Sequence, residues 1–347
     1  MNKPYLIPKD QRESLFQIAS DTANIPFEII EKDYWVVWTL ERLFSLPQLA
    51  KHLTFKGGTS LSKVYGVIDR FSEDVDLSIE KTFFGFDESN SPESAPSRKK
   101  QKAILEKLAQ DCVRYVQGTL MADLKTNIGE TLGTTEGWQL SPDGSDPDAQ
   151  SLSFEYPSIT PPGGYIRPFV KIELGARSEH WPVSEQKLRS YAREALKEKI
   201  HDDEITVRVL NAERTFWEKA TILHRLAHLP EGKTLPARTS RHFYDFVQLL
   251  NSSIKAEALK NLGLLERVAN HNSIYFPATW ASYETARKGT LKLFPMKRVL
   301  EGLEKDYEQM NAMFYRTERP KWELILTTIQ KFERDFNANL QKIHPVE

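Results

Sequence analysis

The sequence predicts an α/β protein: a mixed sheet in the N-terminal part and a helical region towards the C-terminus. Three observations carry this. Period-two runs at 53–55, 74–79 and 166–174 read as short strands, amphipathic stripes of helical period lie before and between them, and from 212 onward the pattern is helical. The domain boundary is expected near 205, giving a sheet-bearing domain over 1–205 and a helical one over 206–347.

Composition narrows the classes of function. The 347 residues suffice for one large domain or two of ordinary size, and 40% apolar with 27% charged residues is the balance of a soluble globular chain. Lys and Arg number 47 against 48 Asp and Glu, so no global field attracts a polyanion, and any nucleic-acid contact has to come from a local patch. The single cysteine, Cys112, excludes a disulfide framework within the chain and suits a reducing compartment. No apolar run is long enough to span a bilayer and no signal-like stretch opens the chain, so a cytoplasmic protein without a membrane partner is expected.

In chain order, 10–22 and 26–44 read as two helices separated at Pro26, with Trp35 and Trp38 in the core and Glu31, Lys32 and Asp33 on a solvated face. A strand at 53–55 runs into Gly57-Gly58 and the hydroxyls of Thr59 and Ser60. Leu61, Val64, Tyr65 and Ile68 then mark one face of a helix. In 74–79, Asp74 and Asp76 share one strand face while Val75, Leu77 and Ile79 turn to the core. The segment 85–103 reads as a mobile polar loop, 98–118 as a helix, and 119–165 as hairpins and long loops. The strand 166–174 puts Lys171 and Glu173 on one face, and 183–200 looks like a charged helix. Asn211 is the expected N-cap of a helix over 212–228, which carries Lys219 beside its apolar stripe. In the helix over 241–250, Arg241 and Asp245 stand at i, i+4, the spacing of an ordinary helix ion pair.

The stretch from Phe55 to Ile79 carries the chemistry. A helix N-terminus directly after a glycine turn presents unpaired N–H groups and a partial positive charge, which suits a phosphate. Two carboxylates on one strand face repel each other unless a cation lies between them, and oxygen-only donors suit Mg²⁺. Together these form a layout for a triphosphate and its metal. Glu173 is either a third carboxylate of that set or the partner of a neighbouring lysine. Zinc spacing, a nucleophile elbow and a Walker A loop are all absent; in Gly57–Lys63 the lysine does not directly follow a glycine.

Gly57-Gly58-Thr59-Ser60-Leu61-Ser62-Lys63 followed by Arg70-Phe71-Ser72-Glu73-Asp74-Val75-Asp76-Leu77 resembles the first motif of the AbiEii/AbiGii toxin family, nucleotidyltransferases of the DNA polymerase β superfamily found in abortive-infection and type IV toxin–antitoxin systems. Val170-Lys171-Ile172-Glu173 resembles the second motif, Glu213-Arg214-Thr215-Phe216-Trp217-Glu218-Lys219 the third, and Arg241-His242-Phe243-Tyr244-Asp245 the fourth. The resemblance implies a polymerase β-like core with a mixed sheet, completed by the helical C-terminal region. It implies Mg²⁺ (or Mn²⁺) held by Asp74 and Asp76, and a phosphate cradle at Gly58, Thr59 and Ser60. Nucleotide contacts would extend to Gly57, Lys63, Lys171, Glu173 and Arg241, with Lys219 steadying the phosphates and Asp245 an essential residue of the pocket. The implied activity is transfer of a nucleoside monophosphate from an NTP to an acceptor such as the tRNA 3′ end, inhibiting translation and growth, with a cognate antitoxin as partner. A protein or small-molecule acceptor, or a non-catalytic binding module of the same fold, are the alternatives. Ser72 occupies a position that is phosphorylated in some relatives; its alternative reading is a hydroxyl bonding the local turn.

Overall fold

The period-two runs pair into a single mixed sheet of seven strands among the residues described in the computed structural model, 3–160, 166–197, 199–200 and 204–338. The strands are β1 (Leu53–Lys56), β2 (Val75–Ile79), β3 (Gln139–Pro142), β4 (Ser151–Glu155), β5 (Phe169–Gly175), β6 (Val183–Leu188) and β7 (Ile205–Leu210), in the order β3-β4-β5-β2-β1-β7-β6. β1 runs antiparallel to β2 and parallel to β7, and β2 runs parallel to β5. The chain divides into two compact units, Met1–Leu210 and Asn211–Glu347.

In the first unit, Leu53, Phe55, Val75, Leu77, Ile79, Val170, Ile172 and Phe154 are buried, so one face of the sheet is apolar throughout its centre. Helices α1 (Lys9–Ala23) and α2 (Phe27–Phe44) fall where the periodicity places them. Trp35 and Trp38 of α2 pack on Phe154 with ring centroids 6.2 and 5.6 Å apart, and Trp35 stacks on Tyr156. Both tryptophans are core residues as expected. Glu31, Lys32 and Asp33 are not solvated: all three are buried, because each meets a specific partner from a distant segment.

Other departures have local causes. The helix after the glycines, α3 (Gly57–Lys63), is only seven residues long and begins at the glycines themselves, so Ile68 lies beyond it. Asp74 immediately precedes β2 rather than lying within it. The polar segment after Gly85 is folded: Asp87 accepts from Ser89 N and Oγ, and Ser91 and Pro92 are buried. Helix α4 (Arg98–Tyr115) continues through a wide turn at Val116–Leu120 into α5 (Met121–Leu132), where loops were expected. The wide turn accommodates Gly118 without ending the helical path. Residues 161–165 of the same expected loop region lie outside the described residues.

The expected charged helix at 183–200 is instead the edge strand β6 followed by the short α6 (Tyr191–Ala195), which Ser190 caps. Glu185 and Lys187 belong to an edge, where charge on the outward face is favourable. β7, unread in the sequence, joins that edge strand to the centre of the sheet by pairing with both β6 and β1. Cys112 is buried in α4, and burial pushes its thiol up to about 12.

The second unit is helical, with α7 (Ala212–Ala227), α8 (Arg241–Leu250), α9 (Ile254–Lys260), α10 (Leu262–Tyr275), α11 (Lys297–Gln309) and α12 (Trp322–Ala338). Phe216 of α7 meets Phe246 of α8 and Phe332 of α12 with ring centroids 5.0 and 5.9 Å apart, and these contacts form its centre. Among the described residues no helix is long and apolar enough to cross a membrane.

Candidate functional site

Sheet register assembles the candidate residues of the first unit. Lys56 stands opposite Asp76, Asp76 beside Glu173, and Glu173 opposite Ser151, so one row of four strands carries a lysine, two carboxylates and a hydroxyl. Lys171 lies two residues before Glu173 and on the same face. Its ammonium is 2.6 Å from Glu173 Oε1 and 3.4 Å from Asp143 Oδ2. Burial lowers the Lys171 pKa, but Glu173, Asp143 and Asp74 outweigh it, and the net direction is upward. Of the two readings of Glu173, the structure shows the lysine partnership directly.

The two glycines fit against this row. Gly57 has φ +78°, and a Cβ there would come within 1.9 Å of Asp76 Oδ2. A Cβ on Gly58 would come within 2.7 Å of Arg70 Nη2 and 2.8 Å of Ser72 Oγ. The close approach that glycine permits is therefore first to the chain's own carboxylate, guanidinium and hydroxyl. Asp76 is thereby seated at the start of α3, whose first amides have no acceptor within the helix. Asp74 and Asp76 are both half-buried and remain accessible.

The hydroxyls of the cradle point inward. Thr59 Oγ1 donates to the Asp74 carbonyl at 2.5 Å and lies 3.0 Å from Ser72 Oγ; Ser60 Oγ donates to the Gly57 carbonyl at 2.9 Å. Both residues are fully buried, so their side chains shape the turn, and a phosphate would meet backbone N–H groups. Ser72 Oγ thus meets a hydroxyl of the glycine turn thirteen residues back in the chain, rather than its own local turn. Lys63 is directed elsewhere: its ammonium is 2.9 Å from Asp33 Oδ1 and 3.6 Å from the centre of the Tyr191 ring.

Several residues of this region escape sequence reasoning. Arg70 is 1% exposed, with its guanidinium against Gly58. Lys56 was legible only through the period-two rule, which places it on the Asp76 face. On the same polar face, His180 Nδ1 is 2.7 Å from Thr54 Oγ1 and Nε2 is 3.1 Å from Ser78 Oγ. Ser78 Oγ donates to the Gly175 carbonyl, so it accepts from Nε2–H, and Nδ1 accepts from Thr54. Burial lowers the His180 pKa to about 4 despite the nearby Glu80 carboxylate, keeping the ring neutral near neutral pH.

In the second unit, Lys219 and Asp245 form a buried ion pair at 2.9 Å, with Asp245 fully inaccessible. His242 Nδ1 lies 3.0 Å from Lys219 Nζ. Asp245 thus pairs with α7, and the i, i+4 pairing with Arg241 is not the arrangement seen; Arg241 is half-exposed at the start of α8. Nothing in the fourth motif alone signalled His242. Arg214, from the third motif, is fully buried with Nε 3.0 Å from Glu218 Oε1.

The donor chemistry fits a divalent cation. Asp74 and Asp76 offer hard oxygen ligands only. Among the described residues no group of three His, Cys, Asp or Glu side chains could cage a metal, so substrate oxygens and water would complete the shell. The chain matches the family described as nucleotidyl transferase AbiEii toxin, type IV TA system, over residues 38–338. It belongs to this family. The AbiEii match includes both aspartates, the glycine turn, Lys219 and Asp245, and gives the chain the activity class of a nucleotidyltransferase and a place in toxin–antitoxin systems. No curated protein matches the chain. Among solved structures it is similar to MenT4, a nucleotidyltransferase toxin from Mycobacterium tuberculosis H37Rv. The identity is 14% and the TM-score 0.42, covering 95% of this chain and 99% of that chain.

Proposed function

We propose that this AbiEii-family protein transfers a nucleoside monophosphate from an NTP to an acceptor hydroxyl, releasing pyrophosphate, and that Mg²⁺ held by Asp74 and Asp76 takes part. The observation that carries the reading is the seat of Asp76: Gly57 lacks the Cβ that would occupy the carboxylate's place, so a metal-binding group and the first amides of α3 share one corner. When bound, the ion would supply charge neutralisation for the phosphates and the entering and leaving oxygens.

The chain's own residues then have separable tasks. The amides of Gly58 and Thr59 bind phosphate oxygens; Thr59 and Ser60 hold the turn that aims those amides. Lys171 and Glu173, as a pair beside Asp76, border the site and keep its charge balanced. Lys219 and Asp245 are residues that the activity requires, and Arg241 is an accessible cation for a nucleotide. Ser72 is the control point: a phosphate on it would add about −2 charge against Gly58 and Thr59, repelling a triphosphate.

The acceptor proposed is the tRNA 3′ end, and the consequence is loss of translation and arrested growth, relieved by a cognate antitoxin. Incubating the purified protein with NTPs labelled at the α-phosphate, with RNA, protein and metabolite pools kept separate, tests this. Label in tRNA that is lost in Asp76→Ala supports it. Label confined to protein or to a metabolite overturns the tRNA acceptor, and the absence of transfer to any pool would leave only a binding module.

A further inference from the structure

Helix α2 presents three consecutive charged residues to the interior, and each holds a different segment. Glu31 Oε1 accepts from Ile159 N at 2.7 Å, and Oε2 accepts from Thr160 N and Ser158 Oγ, both at 3.0 Å. Lys32 Nζ donates to Glu73 Oε2 at 3.1 Å and to the Arg167 carbonyl at 2.8 Å, above the Phe169 ring. Asp33 Oδ2 accepts from Tyr191 N at 2.6 Å, and Oδ1 is 2.9 Å from the Lys63 ammonium. The side chains of Lys32, Lys63 and Asp33 are 2–3% exposed.

Two of these attachments end on the candidate site. Glu73 is the residue before Asp74, and Lys63 is the last residue of α3, whose first turn is the phosphate cradle. Neighbouring residues on a helix diverge by about 100°, so Lys32 and Asp33 reach the two segments in fixed, different directions. The helix itself is immobilised on the sheet through Trp35 and Trp38. Stability alone does not account for the arrangement, because apolar side chains of similar volume stabilise an interior at least as well as buried ion pairs. What charged pairs add is a defined partner and direction.

We propose that Lys32–Glu73 and Asp33–Lys63 are positioning pairs through which α2 sets the spacing between the metal-binding carboxylates and the phosphate cradle. Lys32 acts on Asp74 through Glu73, and Lys63 acts on the cradle through α3 rather than by touching the nucleotide. The inference rests on the nucleotidyltransferase reading of Asp74 and Asp76.

Two double variants test it by removing both members of each pair: Lys32→Met with Glu73→Gln, and Asp33→Asn with Lys63→Met. Mn²⁺ binding by electron paramagnetic resonance, binding of a non-hydrolysable NTP by calorimetry, and thermal midpoints are measured on the full chain, with Asp74→Asn as reference. The expected result is a division of effects. The Lys32/Glu73 variant weakens Mn²⁺ by about tenfold or more, the loss typical of a removed outer-shell partner, and the Asp33/Lys63 variant weakens the NTP by a similar factor with Mn²⁺ affinity retained. If both variants change only the thermal midpoint, or shift both ligands equally, the pairs serve folding alone and the proposal is overturned. If Asp74→Asn itself leaves Mn²⁺ binding unchanged, the reading of the site fails and takes the proposal with it.

Discussion

The first unit leaves Asp74 and Asp76 half-buried beside a glycine turn, whereas the second buries Asp245 completely and pairs it with Lys219. The α2 charges resemble the second case and not the first. A buried carboxylate with its cation 2.9 Å away is already satisfied, and removing either partner leaves an uncompensated charge. Asp74 and Asp76 are half-buried among cations, with Asp76 across from Lys56 in the sheet and Asp74 helping to raise the Lys171 pKa. The difference is one of exposure: one set of carboxylates is sealed inside the protein, and the other can be reached by a ligand.

The largest expected effects break the comparison from both ends. Asp245→Ala leaves the Lys219 ammonium buried without its carboxylate and should cost about 3–5 kcal/mol in denaturant unfolding. Asp76→Ala should cost less stability than Asp245→Ala, because Asp76 is half-buried and water compensates part of what its side chain loses. The same substitution should lower nucleotidyl transfer by about 10³-fold, measured with labelled NTP, since it removes a group stabilising the reacting phosphates.

The division explains how much was legible in advance. Asp74, Asp76 and the glycine turn announce themselves by spacing within one short stretch, because adjacent residues of a strand and turn determine where they point. The charges of α2 could not be read, because their partners lie 41, 30 and 127 residues away in sequence, and a charged run on a helix otherwise means a wet face. Asp245 was matched to Arg241 by helix spacing, whereas its actual partner is on another helix. β6 was hidden within 183–200, a stretch rich in Glu, Lys and Arg, which an edge strand tolerates and a helix prefers. The helix over 121–132 was obscured by the Gly, Pro and Asp content of 119–165 taken as a whole, most of which lies beyond Leu132.

Two smaller effects sharpen the contrast. His180 belongs to the satisfied class on the sheet's polar face. The unfolded histidine takes up its proton near pH 6.5, while folded His180 resists until about 4. Stability should therefore be complete above pH 6.5 and fall as the pH drops through that window, by roughly 3 kcal/mol, and His180→Asn should flatten the slope in thermal scans across it. Thr59→Val should cost about 1 kcal/mol of stability by leaving the Asp74 carbonyl without its donor. A loss below a few tenths would show that Thr59 does not hold the Asp74 turn.

The contrast between accessible and buried carboxylates rests most directly on the shift in thermal midpoint that Mg²⁺ and a non-hydrolysable NTP produce, compared between the parent and Asp76→Ala. A ligand that binds only the folded state raises the midpoint in proportion to its saturation. The parent should show a concentration-dependent rise, and Asp76→Ala no rise on adding the ligands. An equal rise in both proteins would contradict the account, because the half-buried carboxylate would then have no part in holding the nucleotide and its metal.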